Sequence, residues 1–144
     1  MFNHHYLQDG QIELRLDRVK KRALFFPIVY QYDIYLYNSN TQVGRCDYRL
    51  LNNIENYYAG NIGYMIYQSY RGNHYSYKAA LLLLKIAKDF HIKSLYITCS
   101  PENVASRKTI LQLNGNFIEK TSVPKGHFLR SQGEDIKEIY LIRL

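Results

Sequence analysis

The stretch Tyr67 to Phe90, YQSYRGNHYSYKAALLLLKIAKDF, constrains the fold more than any other part of the chain. Ala79, Leu83, Ile86 and Phe90 fall on one line of a helix and Ala80, Leu84 and Ala87 on the line beside it, with Lys78, Lys85 and Asp89 opposite. An apolar face that broad suits a helix lying flat on a sheet. The preceding GNIGYMIY, Gly60 to Tyr67, reads as a central strand of that sheet. Between them lies a short loop holding Arg71 and Gly72. The first N–H groups of a helix have no partner within it and carry the positive end of its dipole. Loop and helix start together therefore make an anion site, most naturally for phosphate.

The remaining segments supply the rest of a sheet. Gln11 to Val19 alternates Ile12, Leu14 and Leu16 with Glu13, Arg15 and Asp17, the period of a strand with one buried face. In LFFPIVYQYDIYLYN, Pro27 argues against a helix and Tyr32 to Tyr37 reads as a second strand. NSNTQ is a turn, from which Gln42 to Leu51 returns as the third strand of an antiparallel hairpin. Asn52, Asn53 and Asn56 break that run. Lys93 to Ser100 is a strand, Pro101 and Asn103 open a second helix, and Gly115 ends it. Phe117 to Val123 and Lys137 to Leu144 close the sheet, joined by a polar loop from Pro124 to Asp135.

A length of 144 residues predicts one domain, 1–144. The longest apolar run, Ala79 to Leu84, is far short of a membrane span, and MFNHHYLQDG lacks the basic and apolar regions of a signal peptide, so a cytoplasmic location is expected. Cys46 and Cys99 are too few for a disulfide framework and are expected to be reduced. No Cys/His spacing suggests a metal site, and His4 and His5 read as a mobile terminus. The net charge of +7 fits an anionic partner, either a phosphorylated cofactor or nucleic acid. The basic run Arg15 to Arg22 reads first as a solvated strand end or turn.

Strand, YRGNHYS, Ala/Leu-rich helix, the strand SLYITCS and the helix NVASRKTILQLNG, in this order across Gly60 to Phe117, resemble the GNAT family of N-acetyltransferases. That family's cofactor loop has the pattern Q/R-x-x-G-x-G/A. Aligned on Arg71, its two small positions fall on His74 and Ser76. The resemblance implies an α/β (α+β) fold with a mixed, mostly antiparallel sheet of about six or seven strands and helices on both faces. It also implies acetyl-CoA as acyl donor and an amine as acceptor, on a small molecule or a peptide. Backbone groups of Met65 and Ile66 would pair with the pantetheine arm. Amides from Arg71 through Gly72, Asn73, His74, Tyr75 and Ser76 would hold the pyrophosphate, and Asn103 and Ser106 would contribute further cofactor contacts, with Arg107 in support.

The chain departs from the family in three places. No helical period appears between the first two strands, where the family places helices that wall the acceptor pocket. His74 stands where a glycine is expected, and Ile110 stands where a tyrosine often protonates the leaving thiolate. Tyr64, Tyr67, Tyr70 or Tyr75 could substitute for that tyrosine. Glu55 and Glu102 are the nearest acidic residues, and no catalytic residue is assigned. Arg71 also reads as a surface charge, His74 as a polar residue at a helix start, and Asn103 as an N-cap. The rival functions are a GNAT-like module that binds CoA without turnover and, less favoured, a basic nucleic-acid-binding domain; a homodimer is left open.

Overall fold

In the computed structural model, which describes residues 1–21, 28–50 and 53–144, the alternating segments form an antiparallel meander. Its strands are β1 (Tyr6–Gln8), β2 (Ile12–Lys20), β3 (Val29–Leu36), β4 (Gln42–Arg49) and β5 (Ile62–Ile66). Pro27, Arg22, Leu51 and Asn52, on which expectations rested, lie outside the described residues. One face of this sheet buries Ile12, Leu14, Tyr32, Ile34 and Tyr48 beneath α2 (Tyr75–Asp89). The helix contributes Ala79, Ala80, Leu82, Leu83, Leu84, Ile86 and Ala87 to the same core, as the apolar lines require. The other face is polar. Arg45 pairs with Asp17 and Asp33, Arg49 with Asp47, and Arg18 with Asp17, while Arg15 pairs with Glu13 and lies 3.7 Å over the Tyr35 ring. Arg15 and Arg18 of the basic run are thus already partnered.

A second sheet has the order β6 (Ser94–Cys99), β8 (Ile136–Arg143), β7 (Asn116–Ser122). Strand β6 alternates: Leu95, Ile97 and Cys99 face the core shared with α2 and α3 (Val104–Gln112), while Tyr96 and Thr98 meet α1 (Ile54–Ala59). Helices therefore flank this strand on both faces, as expected. The eight strands among the described residues exceed the expected six or seven because the three-residue β1 adds an edge to β2. Every ladder among the described residues is antiparallel.

Other differences from the sequence reading are local. The asparagine-rich break holds a helix, α1, whose N-cap Asn53 accepts from the Asn56 N–H at 2.9 Å. The loop from Pro124 to Asp135 contains the single-turn α4 (Phe128–Ser131), where His127 Nδ1 accepts from the Leu129 N–H and Nε2 lies 3.0 Å from the Glu55 carbonyl. With Nδ1 accepting, Nε2 carries the proton and donates to that carbonyl. His4 is not part of a mobile end, since its Nε2 sits 2.7 Å from Asp89 Oδ2 and its ring packs on Phe90. Strands β2 and β3 stay paired up to Lys20 and Val29, so only residues 21–28 connect them.

The two sheets meet at Asn61. Its N–H donates to the Tyr96 carbonyl and its Oδ1 accepts from the Tyr96 N–H, both at 2.8 Å; Nδ2 donates to the Arg49 carbonyl at 3.0 Å. Gly60 precedes it at φ +83, where an added Cβ would crowd Thr98 N at 3.3 Å. Asn61 is 1% exposed, so losing its side chain leaves the part-buried Tyr96 N–H and Arg49 carbonyl without these partners. We expect Asn61→Ala to destabilise the fold by about 2–4 kcal/mol, at roughly 1–3 kcal/mol for each unsatisfied group, measured by urea unfolding. A loss below about 0.5 kcal/mol would show that the joint does not carry the two sheets together.

Candidate functional site

Beyond Asn61 no ladder joins β5 to β6 among the described residues, and the sheets part. Two cavities occupy the opening. The first, about 560 Å³, lies on the side of α2 and α3; the second, about 310 Å³, is lined by β5 and β6 and reaches Ala59 of α1 and Phe128 and Leu129 of α4. They share Tyr64, Asn103 and Ser106.

Strand alternation determines which backbone groups face the opening. The Tyr67 N–H donates to Val43 on the β4 side, so the peptide groups of Met65 point there too and those of Tyr64 and Ile66 point into the cleft. The Ile66 carbonyl accepts from Arg71 Nε at 3.1 Å, which ties the loop to the strand. The loop then passes through Gly72 at φ +87 to His74 at φ 61 and ψ 22, a left-handed conformation. This is the position at which the family pattern has a glycine, and the backbone adopts the shape that a glycine would favour. His74 is the N-cap of α2 yet makes no side-chain capping bond. The first-turn N–H groups of α2 therefore lack a side-chain cap at the mouth of the cleft, with the helix dipole behind them.

Of the residues selected from sequence, Met65, Ile66, Arg71, Gly72, His74, Tyr75, Ser76, Asn103 and Ser106 all line the first cavity. Asn73 does not, because its Nδ2 turns back to the Tyr70 carbonyl at 3.0 Å. Asn103 is the N-cap of α3, accepting from the Ser106 N–H at 3.1 Å. Arg107 is directed elsewhere, with Nε 2.9 Å from Glu138 and its other end on the Pro101 carbonyl. Glu55 and Glu102 line neither cavity; Glu134 lines the second, and its Oε1 accepts from Lys137 at 2.7 Å and from Ser100 at 3.2 Å.

Residues that sequence reasoning missed come mostly from α3. Lys108, Thr109 and Gln112 line the first cavity beside Ser106, at spacings that share one helix face. The Tyr64 hydroxyl lies 3.0 Å from Ser106 Oγ, while Thr109 Oγ1 donates to the Ala105 carbonyl and lies 3.4 Å from Ser76 Oγ. Burial pushes the Tyr64 phenol up, and the hydroxyls of Ser106 and Thr109 recover part of the shift. Ile110 is completely buried and lines neither cavity.

A split sheet with an uncapped helix start at one mouth and hydroxyls where two cavities meet defines a protein that brings two ligands together for group transfer. A family model described as acetyltransferase (GNAT) domain matches residues 5–115, and the chain belongs to that family. Similar solved structures include a Vibrio cholerae protein proposed to be a ribosomal-protein-serine acetyltransferase, with a TM-score of 0.71 and 15% identity over 96% of this chain and 97% of the other. The ribosomal-protein-S5-alanine acetyltransferase of Vibrio fischeri gives 0.68 and 11% over 96% of each chain. RimL, a ribosomal L7/L12 α-N-protein acetyltransferase in complex with coenzyme A, gives 0.67 and 12% over 94% of this chain and 96% of its own. These are likenesses of fold. No curated protein sequence matches the chain at a significant level.

The left-handed backbone at His74 generates a direct expectation. His74→Gly removes a side chain from a conformation that disfavours one, offset by the greater freedom of glycine in the unfolded chain. Because the loop already adopts this shape, relieved strain acts on stability: we expect a melting temperature that does not fall and a CoA affinity that is unchanged at both pH 6 and pH 8, read by calorimetric titration. Weaker binding by the glycine variant, most marked at pH 6, would instead identify the imidazolium as a phosphate contact.

Proposed function

We propose that this protein transfers the acetyl group of acetyl-CoA to an amine. The observation that carries the reading is the continuous opening from the uncapped first turn of α2 to the Tyr64–Ser106 pair, with a second cavity beyond that pair. The residues present fit a CoA thioester. Amides of the loop from Arg71 to Ser76 and of the first turn of α2 would hold the pyrophosphate. Arg71 and Lys108 supply positive charge on two sides, and the cleft-facing peptide groups of Ile66 lie where a pantetheine arm would pass. When bound, acetyl-CoA supplies an activated acyl group. The protein's part is to align that group with the nucleophile, exclude water, and donate hydrogen bonds where negative charge develops on the carbonyl oxygen.

The acceptor amine would enter through the second cavity. Glu134, the carboxylate that lines it among the described residues, would exchange its Lys137 partner for the acceptor's ammonium group and take a proton from it. A peptide N-terminus is the favoured acceptor. RimL and the Vibrio fischeri protein are named for action on ribosomal proteins, which supports this reading. The buried Ile110 favours one competing reading, a CoA-binding module without turnover.

The deciding experiment combines a CoA thermal shift with thiol release from acetyl-CoA across small amines and peptides of varied N-terminus. CoA should raise the melting temperature through binding to the folded state alone, and at least one peptide should release thiol. A shift without release for any acceptor would favour the binding module, and no shift at millimolar CoA would refute the cofactor. Arg71→Ala should weaken CoA by roughly tenfold, the size of one charge-assisted hydrogen bond, and leave pantetheine binding nearly unchanged. Equal losses for both ligands would place Arg71 in a purely structural role.

A further inference from the structure

With Ile110 buried, the cleft needs another source for the proton that the leaving sulfur must acquire. Three elements converge on one place. Tyr64 on β5, Ser106 and Thr109 on α3, and Ser76 on α2 all line the first cavity, and Tyr64 and Ser106 also line the second. The phenol is held by Ser106 at 3.0 Å, with Thr109 lining the cavity beside it. Cys99 is the titratable neighbour on β6; burial and Glu138 push its thiol up to about 11, so it stays neutral and adds no charge at physiological pH.

We infer that Tyr64 is the proton donor to the leaving thiolate of CoA, with Ser106 as the hydroxyl that relays a proton back to it. This deepens the acetyl-transfer reading and rests on it. In the step, the amine nitrogen bonds to the thioester carbon and the carbon–sulfur bond breaks. Its electron pair goes to sulfur, which takes the phenolic proton. Ser106 then passes its own proton to the phenolate and recovers one from water in the open cleft, while the proton lost by the amine leaves on the acceptor side. A phenol suits this better than an alcohol. Its ordinary pKa of about 10 lies within roughly two units of a thiol at about 8.5, so the transfer is close to balanced. Burial raises the phenol, which keeps it protonated and ready throughout the neutral range.

The test does not require the natural acceptor. CoA is bound to the full-length protein and its thiol is titrated by thiolate absorbance, in wild type, Tyr64→Phe and Ser106→Ala. A donor at the sulfur stabilises the thiolate, so bound CoA should titrate below free CoA in wild type and return toward the free value in Tyr64→Phe. Ser106→Ala, which keeps the phenol, should have the smaller effect. A ring-fluorinated tyrosine at position 64, of nearly the same shape but more acidic, should lower the thiol further and serves if the phenylalanine variant folds poorly. With the acceptor found by the peptide panel, Tyr64→Phe should slow transfer about 100-fold, the scale of general acid catalysis, at unchanged CoA affinity. A bound thiol that titrates identically in wild type and in the phenylalanine or fluorinated variant overturns the assignment, whatever the rate. Failure of wild type to bind CoA would instead refute the acetyl-transfer reading beneath it.

Discussion

The pairing of Asn61 with Tyr96 is the interaction on which the site depends. A sheet continued from β5 into β6 would satisfy the inner peptide groups of both strands with each other, leaving no space between them. Here the two strands touch at one buried asparagine, whose side chain completes the backbone exchange with Tyr96 and reaches back to Arg49 on β4. Past that point the β5 edge stays open, and the cleft is the gap that remains. Closing one end fixes the angle of the two sheets, and opening the other leaves the peptide groups of Tyr64 and Ile66 facing a cavity.

An open edge and an uncapped helix start both cost stability, and α2 offsets them. Leu83 and Ile86 are fully buried and Leu82 nearly so, each contributing about 1.5–3 kcal/mol against the five-stranded sheet. A missing N-cap and one left-handed residue cost about 1 kcal/mol and 1–2 kcal/mol respectively. The anchoring body of the helix thus exceeds the strain at its first turn. That balance lets the N–H groups at His74 and beyond remain directed at the mouth of the cleft.

The charges on the polar face of the five-stranded sheet are paired across β2, β3 and β4, so that face is covered by ion pairs. The second cavity is bounded by short elements, α1 and α4, joined through His127.

The longer elements were legible in the sequence because local pattern decides them. A fifteen-residue helix with two apolar lines and strands of period two carry their burial in their spacing, and Arg71, His74, Ser76 and Asn103 stand out within that frame. The resemblance in the order of elements located one wall of the cleft before any coordinates. Short pieces were not legible. Helix α1, α4 and β1 have too few residues to show a period, and such lengths form only when packing replaces the missing internal hydrogen bonds. Asn61 looked like any polar residue at a strand start, and Tyr64 like any of four tyrosines near the loop, with Tyr67, Tyr70 and Tyr75. Their roles depend on partners 35 and 42 residues away. Sequence spacing determines which side of its own element a residue occupies, whereas only the tertiary structure decides which other element it faces, and at this site hydrogen bonds between elements place the hydroxyls and open the cleft.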